Sequence, residues 1–109
     1  MPSGQVEEKK TFSYEEAAAL LPEVRRLTEG AYLAVGALSS APAAGAQARI
    51  DERVGEWAQR LAEKGVEIKG LWLVDFDNGS GYYCWRYPEE SLQFFHSYDE
   101  GFRGRMRIQ

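Results

Sequence analysis

Asp75, Cys84 and His96 are the side-chain types that hold transition metals or move protons, and the chain contains a single histidine and a single cysteine. A carboxylate oxygen, a thiolate sulfur and an imidazole nitrogen together form a mixed donor set suited to a divalent transition metal. Asp75 and His96 by themselves are the components of acid–base or hydrolytic chemistry. One cysteine excludes an internal disulfide and any multi-thiolate zinc site. Structural roles compete with these readings: a lone buried cysteine acts as a small hydrophobe, and a lone histidine near carboxylates is commonly a hydrogen-bonded imidazole. Asp75 can equally serve as the acceptor for amides of the turn Asp77–Gly81. No phosphate-binding glycine loop, nucleophile elbow or paired metal motif is present.

These residues meet only if the C-terminal half folds back on itself. The apolar run Leu71-Trp72-Leu73-Val74, the turn Asp77-Asn78-Gly79-Ser80-Gly81 and the run Tyr82 to Tyr87 predict a hairpin, with strands over about 66–76 and 82–87. A second turn, Pro88 to Ser91, leads to Leu92–Ser97, which fits a third strand or a short helix; adjacent aromatics favour the strand, over about 92–97. Folding at both turns sets Asp75 beside Tyr82 and Tyr83 and at the same sheet end as His96, with Asp99 close behind. The candidate ligand-binding set is therefore Asp75, His96, Asp99 and Arg105, and the candidate metal set is Asp75, Cys84 and His96. Whether Cys84 faces His96 depends on an even or odd register in the second hairpin. Glu89, in the other turn, lies roughly 20 Å from that end at about 3.3 Å per residue, and Lys69 is its expected neighbour. Arg103 and Arg105 are expected to pair with Asp75, Asp99 or Glu100, folding the tail over the sheet edge.

Two helices must carry this sheet. Ser13 with Glu16 forms a capping box, and Ala17, Leu20, Leu21, Val24 and Leu27 make an apolar stripe, so the first helix spans about 13–38, with a bend expected at Pro22. Residues 39–45 read as a loop. Ile50, Val54, Trp57 and Leu61 mark a second helix over about 47–64, closed by Lys64 and Gly65. Residues 1–11 read as a flexible tail and 12–109 as one domain. The expected architecture is α+β, a two-helix hairpin packed on a three-stranded antiparallel β-meander.

With 109 residues the chain is one domain's worth, and 13 basic against 17 acidic side chains give a formal charge of -4, the wrong sign for a dedicated phosphate-backbone binder. No run approaches the roughly 20 apolar residues of a membrane helix. The start, Met1–Lys10, lacks the apolar stretch of a secretory signal, so a cytoplasmic address is expected. Ten of the fourteen aromatics fall between Trp72 and Phe102. That excess suits a sheet burying large side chains, with Trp72, Trp85, Phe94, Phe95, Glu89 and Phe102 as structural or interface residues. If the uncovered sheet face carries the spare aromatics, a homodimer would cover it, giving a non-enzymatic interaction or scaffold protein. A stacking platform for single-stranded nucleic acid is a further alternative, disfavoured because residues 65–109 hold 5 basic and 7 acidic side chains.

The string Leu73-Val74-Asp75-Phe76, Cys84-Trp85, Glu89, His96 and Gly101-Phe102-Arg103-Gly104-Arg105 resembles domain-of-unknown-function family 2203, small uncharacterised prokaryotic proteins. Phe12-Ser13, Glu16-Ala17 and Leu20-Leu21-Pro22 are similar to that family's opening motif. The pattern carries over to Asp75, Cys84, Trp85, Glu89, His96, Gly101, Phe102, Gly104 and Arg105. Two positions depart from it: Pro88 stands where the family tends to have glycine, and Phe95 where it tends to have tryptophan. The resemblance implies a small stand-alone soluble protein and brings no established activity with it.

Overall fold

The computed structural model describes residues 10–41 and 43–108. The expected tail, residues 1–11, lies outside them except for Lys10 and Thr11.

Ser13 caps the first helix as its chemistry requires: its hydroxyl accepts from the Glu16 amide at 3.1 Å, and the Glu16 carboxylate accepts from the Ser13 amide at 2.9 Å. Helix α1 then runs from Tyr14 to Ser40. Pro22 lies inside it on the exposed side and does not end it, although its missing N–H leaves the Ala18 carbonyl without the usual partner. The buried face is Ala17, Leu21, Val24, Thr28 and Ala31, every third or fourth residue. Helix α2, Ala46–Glu63, buries Trp57 and Leu61 against it, and the Trp57 indole donates to the buried Thr28 hydroxyl at 2.8 Å. Lys64 and Gly65 close α2, Gly65 adopting φ 85°. Among the described residues no helix is long and apolar enough to cross a membrane.

The sheet has five antiparallel strands where three were expected: β1 Glu67–Gly70, β2 Leu73–Asp77, β3 Tyr82–Arg86, β4 Phe94–His96 and β5 Met106–Arg107, in that spatial order. The expected strand 66–76 is two strands. The chain reverses at Leu71-Trp72, where Trp72 takes φ 67°, a left-handed conformation unusual for a large residue. Packing holds it there, because the Trp72 ring sits 4.9 Å from that of Trp57 and 5.9 Å from that of Tyr32. The expected strand 92–97 exists as the shorter β4. The tail does return to the sheet, passing through a 3-10 turn at Phe102–Gly104 before pairing Met106 with Phe95 as β5.

Alternation divides the sheet into two faces. Val74, Phe76 and Trp85 point toward the helices and are fully buried with Val24, Trp57 and Leu61. The opposite face carries Asp75, Cys84 and His96. It is not left uncovered, as the dimer argument supposed, because those three residues are 1–3% exposed, share a cavity with residues 98–102 and have Arg105 3.9 Å from Cys84 Sγ.

Candidate metal centre

Asp75, Cys84 and His96 stand on three successive strands and on one face. The ladder pairs Asp75 with Cys84, Cys84 with Phe94, and Tyr82 with His96, so residues 82, 84, 94 and 96 all project from the same side. This decides the register in favour of Cys84 facing the His96 side. Asp75 sits in the middle of β2, one pair further from the strand end than expected. Gly81 permits the close approach of β4, since a Cβ there would lie 2.7 Å from the His96 carbonyl oxygen.

One potential ligand atom from each of the three residues lies within 4.8 Å of the others. His96 Nε2 is 2.9 Å from Asp75 Oδ2, and His96 Nδ1 is 2.8 Å from the Ser97 carbonyl oxygen. A carbonyl only accepts, so Nδ1 carries a hydrogen and Nε2 faces the carboxylate. One proton lies between Nε2 and Oδ2, because two lone pairs at that distance would repel. The other carboxylate oxygen, Asp75 Oδ1, is buried and meets no nitrogen or oxygen donor, the Cys84 thiol being the weak donor beside this carboxylate.

Burial raises the Asp75 carboxyl above its ordinary range, with His96 opposing the shift. Burial, and then the neighbouring Asp75 charge, push the Cys84 thiol up to about 12. A cysteine nucleophile needs the reverse shift, and Nε2 is aimed at Asp75, so the geometry is not that of a cysteine–histidine catalytic pair. It suits metal ligation better. The backbone carbonyl fixes the imidazole with Nε2 presented, which is how ligating histidines are commonly held. A tetrahedral ion with bonds of about 2.0–2.3 Å needs donors roughly 3.3–3.8 Å apart, within side-chain adjustment of the present spacing.

Turn amides are taken up elsewhere. Asp77 Oδ1 accepts from the Gly79 amide at 2.9 Å and from the Tyr98 hydroxyl at 2.6 Å, while Asn78 accepts from Ser80 and Gly81. Asp75 is thus not the turn's acceptor.

Arg105 does not pair with Asp75, Asp99 or Glu100. Its guanidinium meets Glu89 through Nη2–Oε2 at 2.9 Å and Nη1–Oε1 at 3.1 Å, and it lies between the rings of Phe94 at 3.9 Å and Phe102 at 4.1 Å. Nη1 also lies 3.9 Å from Cys84 Sγ. Glu89 is not in the trio, but it does not lie roughly 20 Å away as expected, because the same Arg105 Nη1 reaches Glu89 Oε1 at 3.1 Å and Cys84 Sγ at 3.9 Å; its partner is Arg105 and not Lys69, which pairs with Glu67 at 3.3 Å. The Glu89 carbonyl further accepts from Arg25 at 2.7 Å and from the Trp85 indole at 2.8 Å, so this turn ties α1, β3 and the tail together. Arg105→Met is expected to lower stability by about 1.5–3 kcal/mol, because it leaves Glu89 half-buried without its cation. Urea unfolding of the single and double variants with Glu89→Gln measures the coupling; additive losses would show that the pair contributes nothing.

Asp99 is exposed and receives the Ser97 hydroxyl at 3.4 Å; it borders the cavity without joining the buried trio. That cavity, of about 470 Å³, opens onto Asp75, Cys84 and His96 and is walled by Lys69, Leu73, Tyr82, Tyr98 and Phe102. Sequence reading missed Lys69, Leu73, Tyr82 and Tyr98 as its walls. Two-residue alternation from Cys84 would have found Tyr82, but Lys69 belongs to a strand the sequence did not separate.

Among the residues called structural or interface, Trp85 is fully buried, Trp72, Phe94 and Phe95 are partly buried, and Phe102 is 39% exposed. No curated protein and no solved structure matches the chain. Residues 36–108 match a family model described as an uncharacterized conserved protein, which leaves the opening motif from Phe12 to Pro22 outside the matched region. The match spans Asp75, Cys84, Glu89, His96 and Arg105, and the chain belongs to domain-of-unknown-function family 2203.

Proposed function

We propose that this protein binds a divalent transition metal through Asp75, Cys84 and His96. The observation that carries the reading is the gathering of one carboxylate oxygen, one thiol sulfur and one imidazole nitrogen within 4.8 Å of one another in a buried site, where Asp75 Oδ1 meets no nitrogen or oxygen donor. The mixed donors favour zinc or a similar borderline ion over magnesium or calcium, which prefer oxygen alone. Asp75 and Cys84, both ionised on ligation, balance the two positive charges. Three protein ligands leave a fourth position for water, the arrangement of a hydrolytic rather than a purely structural site.

Protein purified without an affinity tag is expected to carry or take up one equivalent of Zn²⁺. With Co²⁺ in its place it is expected to show sulfur-to-cobalt charge transfer that Cys84→Ala abolishes. Neither stoichiometric metal after purification nor uptake on titration would refute the reading.

A homodimeric interaction role is the second reading, supported by the exposed apolar side chains Leu33, at 59%, and Leu71, at 59%, with Tyr32 at 45%. Sedimentation is expected to show a concentration-dependent dimer that Leu33→Asp disperses; a strict monomer at high concentration removes it. Single-stranded nucleic-acid binding has less in its favour, because arginines already lie over the Phe94 ring and the charge balance is acidic.

A further inference from the structure

Building on the metal reading, we infer that the cavity beside Asp75, Cys84 and His96 receives a small monocarboxylate with an apolar body. One carboxylate oxygen takes the metal's open fourth position and the other meets the Lys69 ammonium. Four observations lead there. The cavity opens directly onto all three ligand residues, so whatever fills it reaches the metal's remaining position. At about 470 Å³ it falls in the range of small-molecule sites. Leu73 and Phe102 offer apolar walls, while the Tyr82 and Tyr98 hydroxyls are committed to Glu67 at 3.1 Å and Asp77 at 2.6 Å. Lys69 is the basic residue on the cavity wall; its ammonium lies 4.4 Å from the Tyr82 ring centre and 3.3 Å from Glu67 and hydrogen-bonds to both residues, so a three-donor group has one donor left for a ligand.

The rim sets the charge of the ligand. Asp99 and Glu100 are exposed carboxylates there, both within reach of the Ser97 hydroxyl. With the metal's two charges balanced by Asp75 and Cys84, and the Lys69 charge shared with Glu67, the cavity offers an anion a hydrogen bond from Lys69 and no surplus positive charge, whereas a dianion also meets rim repulsion. Phosphate and dicarboxylates are therefore disfavoured against a single carboxylate.

The cobalt-loaded protein tests this, with benzoate and phenylacetate as probes and phosphate and succinate as comparisons. Benzoate or phenylacetate is expected to change the cobalt ligand-field bands saturably, at least tenfold more tightly than phosphate or succinate. Lys69→Met, checked for retained cobalt, is expected to weaken the monocarboxylate by about tenfold or more. A cobalt spectrum with its sulfur charge-transfer band intact that neither monocarboxylate alters overturns this inference alone. So do equal affinity for phosphate and unchanged affinity in Lys69→Met. Failure of cobalt to bind at all removes the metal reading and this one with it.

Discussion

Replacing Asp75 by asparagine is expected to raise the melting temperature of the metal-free protein while lowering its metal affinity by about a hundredfold or more. The two effects have one cause. Burial raises the Asp75 carboxyl above its ordinary range. A carboxyl shifted upward by folding contributes stability only below its unfolded-state value and loses it as pH rises through the folded value, so at neutral pH its ionisation is a net cost to the fold. Asparagine has no charge to bury, and its amide can donate to His96 Nε2 while Nδ1 keeps its bond to the Ser97 carbonyl. A gain of about 1 kcal/mol, or roughly 4–8 °C in a domain of this size, follows. The neutral amide is also a much poorer metal ligand, hence the lost affinity. Calorimetric melting of the metal-free proteins and chelator-competition titration measure the two effects. A lower melting temperature with undiminished affinity would return Asp75 to an ordinary structural partner of His96.

Metal affinity is expected to rise with pH, by about tenfold per unit between pH 6 and 8, because ligation displaces the Cys84 proton. A thiol at about 12 is neutral throughout this window and must ionise to bind. Each proton displaced contributes a factor of about ten per pH unit, with binding favoured at the alkaline end. Chelator competition across the range gives the slope, and calorimetry in buffers of different ionisation enthalpy counts the protons independently. A pH-independent affinity would mean that the Cys84 thiolate does not hold the metal. In the metal-free protein the same thiol works oppositely. Its raised value supplies stability below the ordinary thiol value of about 8.5 that is lost as pH climbs toward about 12.

Helix signals transferred well from sequence to structure because they are local. The Ser13–Glu16 box, the Trp57–Leu61 face and the Gly65 stop each depend on neighbours within about a turn, and all three are present. The reversal at Leu71-Trp72 was not legible. Tight hairpin turns are normally marked by Asn, Asp or Gly at the left-handed positions, and here a tryptophan occupies one because its ring packs on Trp57, some fifteen residues earlier in the chain. Gly70 was the only local hint. Missing that turn merged β1 with β2 and hid Lys69 from the cavity wall; β5 was missed separately, because it is two residues long and exists only by pairing with β4. The partner of Glu89 was misread for a related reason. An ion pair between Glu89 and Arg105 requires the tail to cross the sheet face, which no short-range pattern encodes.

Asp75, Cys84 and His96 stood out in the sequence by residue type and by falling in consecutive extended segments, so they could be singled out as a set before any coordinate. The tertiary structure alone decided that Cys84 faces inward with the other two, that Asp75 Oδ1 meets no nitrogen or oxygen donor, and that residues 98–102 wall the cavity beside the group. The reason is the two-residue repeat of a strand. Local propensity specifies that a segment is extended, but which face each side chain takes is set by register, and register depends on packing between segments far apart in the chain.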